Sequence, residues 1–228
     1  MELEKSFEKL NLQTEQVKCQ ENTFCVLAID IGVINLGISV STVDTDFNFI
    51  EVIWIDLINI TELKHRAVCK DDCKLQHTRT FSDWLDHLYQ DNQYFFDNAD
   101  FIIIEKQPPM GFVVVEQLIF NKYRDKASLI NPINVHTFLN MSNLDYDGRK
   151  VKSEKIALPM ITDPDLCRQI TFYHRRHDIC DSLCMLLYWL HKKRQELEKQ
   201  QRIYKASQIV IDNINIDDWL DKKRYNPN

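Results

Sequence analysis

The chain has 228 residues, 44% of them hydrophobic, and its 28 Lys and Arg against 34 Asp and Glu give a formal net charge of −6. A chain of this size can bury one good-sized core, as one domain or at most two. Four Gly and six Pro exclude collagen-like and low-complexity classes, and no apolar run approaches the ~18 residues of a membrane span.

The first 22 residues are acidic and have no apolar core, so we expect a short helix or a mobile arm and no secretory signal or mitochondrial presequence. The seven Cys are odd in number and scattered, which favours free thiols in an intracellular, reducing compartment. The net charge argues against nucleic acid as a partner, but residues 121–205 carry 16 Lys and Arg against 10 Asp and Glu. A basic face on an acidic chain can meet phosphate, and the alternative is a solvated helix surface.

In chain order, the pattern predicts three antiparallel strands followed by alternating helices and strands. An apolar run at 24–31 predicts a first strand buried on both faces, and strands at 36–42 and 48–57 follow, joined by an acidic turn at 44–46. Helical spacing begins at residue 81, and later segments predict a strand at 99–105, a helix at 111–126, a strand at 133–136 and a long helix at 173–200. These elements predict an α/β fold with a mixed five-stranded sheet flanked by helices.

Two predicted strands carry a carboxylate near their ends, Asp30 on the first and Glu105 on the fourth. Neighbouring strands with one acid each at matching depth bring like charges together, an arrangement that a divalent cation between them stabilises. The alternatives are a turn-capping role for Asp30, and a Glu105 that faces solvent or pairs with Lys106.

The segment 174–182, HRRHDICDS, places two more acids on the long helix. Asp178 and Asp181 are three residues apart and share a face, beside an apolar stripe and one turn after His174 and His177. Asp is a poor helix former away from the first turn, so two of them here indicate a functional role. The alternative is that they lie in the first turn, where their negative charge favours the helix dipole. Together the four acids predict a site for two Mg²⁺ or Mn²⁺ ions about 4 Å apart, which supports in-line phosphodiester cleavage.

The motifs AIDIGVINLGIS, FIIIEKQ and HRRHDICDSLCML resemble the three acidic motifs of RuvC-like Holliday junction resolvases, in the poxvirus-type branch of large cytoplasmic DNA viruses. The resemblance implies an RNase H-like fold, a homodimer, and Mg²⁺-dependent cleavage of four-way DNA junctions by paired nicks, without a membrane or a small-molecule cofactor. It implies a role in recombination or replication at the viral replication site in the host cytoplasm. It also makes Asp30, Glu105, Asp178 and Asp181 the metal-binding, catalytic acids.

The resemblance divides the chain into an N-terminal arm (1–22), a nuclease domain (23–205) with an insertion at 63–79, and a C-terminal extension (206–228). Within the domain, residues 146–155 resemble the basic stretch that contacts the junction in relatives. Each phosphate that a cation neutralises releases counterions, and Lys155 or Lys152 could also stabilise charge on the scissile phosphate, although a solvated loop explains the cluster equally well. The candidate DNA-binding residues are Arg149, Lys150, Lys152, Lys155, Arg175 and Arg176, with Lys155 also a candidate catalytic residue.

Two further sets of residues are open to more than one interpretation. The rings of Phe112, Phe120 and Tyr123 could stack on DNA, but this spacing is more typical of core or dimer contacts, and we favour a dimer. Four possible zinc ligands recur every fourth residue in the insertion, but a straight helix turns about 40° for each such step, so they diverge and cannot close a tetrahedron without a break. We therefore favour an exposed linker with reactive thiols over a zinc site, for which the candidates are His65, Cys69, Cys73 and His77.

The leading functional prediction is a structure-selective endonuclease. The alternative is an RNase H-like domain that binds nucleic acid without cutting it, or that cuts another substrate such as an RNA–DNA hybrid. An actin-like or sugar-kinase phosphotransferase shares the strand with Asp-x-Gly, but it needs a second phosphate-binding hairpin and a longer chain, and neither is visible here.

Overall fold

The computed structural model describes residues 22–65 and 80–213, with the side chains of 64–65 and 209–213 left undescribed. The chain divides into two units, Met1–Leu190 and His191–Asn228. The domain boundary expected near residue 205 stays a prediction. Among the described residues, no helix combines the length and the apolar composition that a membrane crossing requires.

The first unit is built on a five-stranded sheet. Its strands are β1 (Thr23–Asp30), β2 (Leu36–Asp44), β3 (Phe49–Ile58), β4 (Phe101–Glu105) and β5 (Ala127–Ile130). The order across the sheet is β3-β2-β1-β4-β5; β1, β2 and β3 pair antiparallel, and β4 and β5 join parallel to β1. The predicted mixed sheet with three antiparallel leading strands is therefore confirmed.

Seven α-helices accompany these strands in the described residues. They are α1 (Phe81–Asp91), α2 (Gln93–Asn98), α3 (Val113–Lys122), α4 (Pro132–Phe138), α5 (Tyr146–Ala157), α6 (Pro164–Phe172) and α7 (Arg176–Asn213). Two short 3₁₀ helices, Ile60–His65 and Leu158–Met160, complete the set.

Alternation along the strands creates two cores, one on each face of the sheet. On β1, Val26 and Ala28 face one core, whereas Cys25, Leu27 and Ile29 face the other. Helices α5, α6 and α7 cover the first face, and α1, α2 and α3 cover the second. Each face buries apolar side chains from strand and helix alike, which is the main stabilising contribution to such a layered fold.

Two sequence-based assignments after β4 were wrong. The fifth strand is at Ala127–Ile130, and residues 133–136 lie in helix α4 instead. Asn131 caps that helix by accepting a hydrogen bond from the Ile133 N–H, and Pro132 takes a first-turn position, where its missing N–H costs nothing. The helix predicted for 111–126 accordingly ends at Lys122, before β5 begins.

The basic stretch and the long helix also differ from expectation. Residues 146–155 do not form a loop; they lie in α5, whose N-terminus is capped by Asp145 accepting from the Gly148 N–H. The last helix begins at Arg176, three residues later than predicted, because Tyr173 ends α6 in an extended conformation. From residue 191 onward this helix belongs to the second unit, where Ile203 and Tyr204 are exposed and ion pairs such as Lys193 with Glu196 run along its surface.

Candidate active site

The two strand acids lie side by side because of the register between β1 and β4. Ile29 pairs with Ile104 in the parallel ladder, which brings Asp30 level with Glu105. Since side chains alternate, Asp30 follows the parity of Val26 and Ala28 and faces the side of the sheet that α7 covers. Glu105 follows Ile103 to the same side.

The carboxyl groups of Asp30 and Glu105 share a hydrogen bond. Burial raises the pKa of Asp30 well above 3.8, and the nearby charges of Glu105 and Asp181 raise it further. Burial also raises the pKa of Glu105, but hydrogen bonds from Asp30 and Gln107 oppose that rise. The pKa of Asp30 is therefore raised more strongly than that of Glu105, which accepts their hydrogen bond.

Helix α7 supplies the other two acids and approaches the sheet closely. Asp178 is 4% exposed, and Asp181 lies one turn further along. Small residues allow this approach: Gly37 on β2 lies against the Asp178 carbonyl, and the hydroxyls of Ser39 and Ser182 are 2.7 Å apart. One carboxylate oxygen from each of Asp30, Asp178 and Asp181 lies within 4.8 Å of the others. The site thus joins acids from two strands and a helix.

Lys150 reaches this cluster from α5. Its Nζ lies 3.1 Å from Asp178 Oδ1 and 2.5 Å from Asp181 Oδ2. Burial alone would lower the pKa of Lys150, but Asp181, Asp30 and Asp178 together hold it above its ordinary value, so the ammonium stays charged. Arg175 Nε adds a bond of 2.9 Å to Asp178 Oδ2. Within the described residues, no Lys or Arg lies within ion-pair distance of Asp30 or Glu105.

Most of the predicted basic residues lie away from the acids. Lys155, the candidate catalytic lysine, is exposed and has no contact with them among the described residues. The lysine at the acids is Lys150, which was expected only to bind DNA. The helical pattern of α5 could have singled it out, because Lys150 precedes the buried Ser153 and Ala157 by three and seven residues and shares their face.

The remaining candidates contact parts of the protein other than the acids. The side chains of Arg149 and Lys152 donate to the backbone carbonyls of Leu144 and Asn140, and Arg176 pairs with Glu154. Their roles as DNA ligands stay predictions. The three aromatic rings also differ from one another: Tyr123 stacks on the core residue Phe96 and Phe120 packs at the edge of that core, while Phe112 is 46% exposed.

A cleft of about 400 Å³ opens onto Asp30, Glu105 and Asp178. One wall is the turn between β1 and β2, which bends at Gly32, where a Cβ would lie 2.2 Å from the Asn35 carbonyl oxygen. Lys150 also lines the cleft, and the more exposed Phe112 and Arg175 lie at its rim. A second cavity of about 40 Å³ reaches Asp30, Glu105 and Asp181 from the side of α4 and is large enough for a water molecule.

The donor set fits a hard divalent cation. All of its side-chain ligands are carboxylate oxygens, which Mg²⁺ and Mn²⁺ prefer. The raised pKa values of Asp30 and Glu105 mark a position where positive charge relieves repulsion between acids. Asp30, Glu105, Asp178 and Asp181 could therefore hold the metal.

The four candidate zinc ligands belong to the predicted insertion at 63–79. His65 ends a 3₁₀ helix, and its side chain, like Cys69, Cys73 and His77, lies outside the described residues. A zinc site there stays a prediction, and elemental analysis of protein purified under reducing, chelator-free conditions tests it.

Solved structures with a similar fold include Holliday junction resolvases. A fowlpox virus resolvase in complex with substrate Holliday junction DNA has a TM-score of 0.54 at 19% identity, over 74% of this chain and 98% of the viral one. A second structure, of the fowlpox virus Holliday junction resolvase, has a TM-score of 0.52 at 18% identity, over 74% of this chain and 99% of the viral one. The yeast mitochondrial Holliday junction resolvase Ydc2 gives 0.56 at 15% identity, over 87% and 92%. The predicted RNase H-like fold is thus confirmed.

The family follows from the sequence match. Residues 24–193 match the family described as Poxvirus A22 protein, and the chain belongs to it. The resemblance to poxvirus-type resolvases is therefore confirmed. Curated protein sequences contain no significant match to this chain.

Proposed function

We propose that this protein is a metal-dependent endonuclease that resolves four-way DNA junctions. The observation that carries the proposal is the cluster of Asp30, Asp178 and Asp181, with Glu105 hydrogen-bonded to Asp30, beside a cleft in a member of the Poxvirus A22 family. The fold neighbours are described as resolvases, and one of them is bound to Holliday junction DNA.

The four acids would hold Mg²⁺ or Mn²⁺, and two such ions would supply an activated water and charge stabilisation at the leaving 3′ oxygen. Side chains of the protein would bind the phosphate oxygens. The ammonium of Lys150, fixed by Asp178 and Asp181 at the cleft wall, can donate to a phosphate oxygen whose charge increases during cleavage. Arg175 places a second cation at the rim, where it can bind a neighbouring phosphate.

We infer that the DNA backbone binds in this cleft. Lys150 and Arg175 line it together with Asp30, Glu105 and Asp178. Their positive charges attract the backbone and offset its repulsion from the acids.

We also propose that the active form is a homodimer. A four-way junction presents two strands related by symmetry, and paired nicks at those strands require two active sites related by a two-fold axis. Size-exclusion chromatography with light scattering, with and without junction, measures the oligomeric state directly. A monomer in both conditions would contradict the proposal.

The function is tested with a mobile four-way junction, a linear duplex and an RNA–DNA hybrid, each with Mg²⁺ and with EDTA. We expect preferential junction cleavage that leaves 5′-phosphate and 3′-hydroxyl ends and stops in EDTA. The Asp30→Asn and Asp181→Asn proteins should bind the junction and fail to cut it. Parental rates in either variant would refute the metal assignment, and preference for the hybrid would point to a different substrate.

For the site of action we infer the viral replication site in the host cytoplasm, on the basis of the family. Fluorescence microscopy of the tagged protein in infected cells tests this. Exclusion from cytoplasmic DNA-containing foci would contradict it.

A further inference from the structure

Gln107, two residues after Glu105, is held by hydrogen bonds at three of its atoms. Its side-chain Nε2 donates to Glu105 Oε2 at 2.6 Å, and its Oε1 accepts the backbone N–H of Phe112 at 3.2 Å. Its own backbone N–H donates to Glu116 Oε2 at 2.5 Å. One residue therefore connects a candidate metal ligand, the loop at the cleft rim and helix α3.

The Phe112 bond fixes which way the amide of Gln107 points. A backbone N–H can bond only to the oxygen end of a side-chain amide, so the NH₂ end must point to Glu105. A donor at one carboxylate oxygen stabilises the ionised form of Glu105 and limits its rotation. Asp30, hydrogen-bonded to the same carboxyl group, depends on that orientation too.

The backbone of Gln107 is anchored by a buried acid. Glu116, in the first turn of α3, is 3% exposed and forms no ion pair with the described residues. Burying a carboxylate is costly unless donors surround it. Here the donors are the Gln107 N–H and the Gln117 side-chain amide at 2.5 Å, and the α3 N-terminus adds a favourable dipole. Through these hydrogen bonds the buried Glu116 side chain fixes the chain just after β4.

The loop between Gln107 and Phe112 closes directly over the amide. Gly111 donates to the Pro108 carbonyl at 2.8 Å, which makes a tight turn. A Cβ at Gly111 would lie 2.7 Å from Gln107 Oε1 and 3.0 Å from Pro108 Cδ. The turn therefore needs Gly111 for its close approach to Gln107.

We propose that Gln107 is a positioning residue that ties the rim loop 108–112 to the Glu105 carboxylate, so that loop geometry determines how well the acids bind metal. The proposal rests on the proposed function and adds a residue to it. Outer hydrogen-bond partners of metal-ligating carboxylates commonly contribute 10- to 100-fold to metal affinity. The exposed side chains of Met110 and Phe112 give DNA at the cleft a direct means of moving this loop.

The test perturbs the link from both ends. Gln107→Met keeps the chain length of the side chain but removes its donor and acceptor, and Gly111→Ala pushes on the amide from the loop. Gln93→Met, in an exposed glutamine on α2, is the matched control. The readouts are Mn²⁺ binding without DNA by calorimetry, the Mg²⁺ concentration for half-maximal cleavage, junction affinity in EDTA, and Tm.

We expect a roughly tenfold weaker Mn²⁺ affinity and a matching rise in the Mg²⁺ requirement for Gln107→Met and Gly111→Ala. Their junction affinity in EDTA should stay within about twofold of the parent, because the phosphate-binding cations are unchanged. Gln93→Met should behave like the parent.

Parental Mn²⁺ affinity in folded Gln107→Met would overturn the proposal, even if its Tm fell, because the role would then be structural only. If the parent binds Mn²⁺ but cuts no junction, the proposed function fails while the Mn²⁺ comparison still decides the role of Gln107. If the parent binds no Mn²⁺, the metal centre and this proposal are both wrong.

Discussion

The two pairs of acids at the site are stabilised in opposite ways. Asp178 and Asp181 on α7 are neutralised by protein cations, Lys150 and Arg175. Asp30 and Glu105 on the strand ends share a hydrogen bond, and burial raises the pKa of both. Two unpaired carboxylates at that depth cost several kcal/mol unless a proton or a cation lies between them. The comparison indicates that a bound metal ion would replace a proton at Asp30 and Glu105, which we call the strand pair.

The largest expected effect comes from removing the metal ligand on β1. Asp30→Asn should slow junction cleavage by at least about 10³-fold, since loss of a metal contribution of several kcal/mol has that kinetic effect. It should also raise Tm in EDTA, because the amide is neutral without the proton that Asp30 must bind on folding above its unfolded pKa. Asp178→Asn should instead lower Tm, because Lys150 and Arg175 each lose a carboxylate partner. Single-turnover cleavage and thermal unfolding measure both effects.

Asp97→Asn is the control for that experiment, because Asp97 is an exposed acid on α2. It should leave cleavage and Tm unchanged. Equal changes of Tm in Asp30→Asn and Asp178→Asn would remove the distinction between the two pairs.

The next effect concerns Lys150, the cation that pairs with Asp178 and Asp181 on α7. Lys150→Met should slow cleavage about 10²-fold, the loss typical of one donor to a developing negative charge. Lys155→Met is the matched control on the same helix, and it should change the rate less than threefold because Lys155 does not contact the acids. If Lys155 binds phosphate, the Lys155→Met protein should release about one ion fewer on junction binding, so the slope of log affinity against log salt concentration should fall by about 1.

These two lysines separate what the sequence could predict from what it could not. The order and type of the first four strands followed from apolar runs and turn residues, and the four acids followed from their places at strand ends and on one helix face. The choice among four cations within seven residues depended on which of them face the acids from helix α5, and the Gly at the third position of α5 obscured that helix in the sequence. Gln107 was not predicted at all, because its role depends on contacts with Phe112 and Glu116 that sequence spacing does not reveal.

The fifth strand shows a similar limit. Residues 133–136 alternate the β-branched Ile133 and Val135 with Asn134 and His136, a pattern typical of a strand, but the Asn131-Pro132 cap starts a helix there. Local capping outweighed strand propensity there, since the propensity of a four-residue run is weak.

A smaller effect should follow from moving α7 relative to the strand pair. In Gly37→Ala, the added Cβ would lie 2.2 Å from the Asp178 carbonyl oxygen, so the start of α7 must shift. We expect a stability loss of about 1–3 kcal/mol, as for other overpacked sites, and slower cleavage at saturating Mg²⁺. Chemical denaturation and single-turnover kinetics measure the two effects.

Gly148→Ala serves as the comparison for Gly37→Ala. The added methyl group at Gly148 meets the movable Asp145 carboxylate instead of backbone, and alanine favours the helix. It should retain parental cleavage. Parental stability in Gly37→Ala would show that α7 can reposition without disturbing the site.

The smallest effect is the pH dependence of stability that the strand pair produces. Because the folded-state pKa of Asp30 lies above its unfolded value, the native state binds the extra proton between those two values. The contribution of this bound proton to the free energy of unfolding is therefore present at low pH. It is lost as pH rises through the folded pKa, with a slope of at most about 1.4 kcal/mol per pH unit. Urea denaturation in EDTA above pH 4 should show this decline, and Asp30→Asn should lack it. Saturating Mg²⁺ should reverse the slope, since the cation competes with the proton for the same carboxylates; an unchanged slope would place the metal away from Asp30.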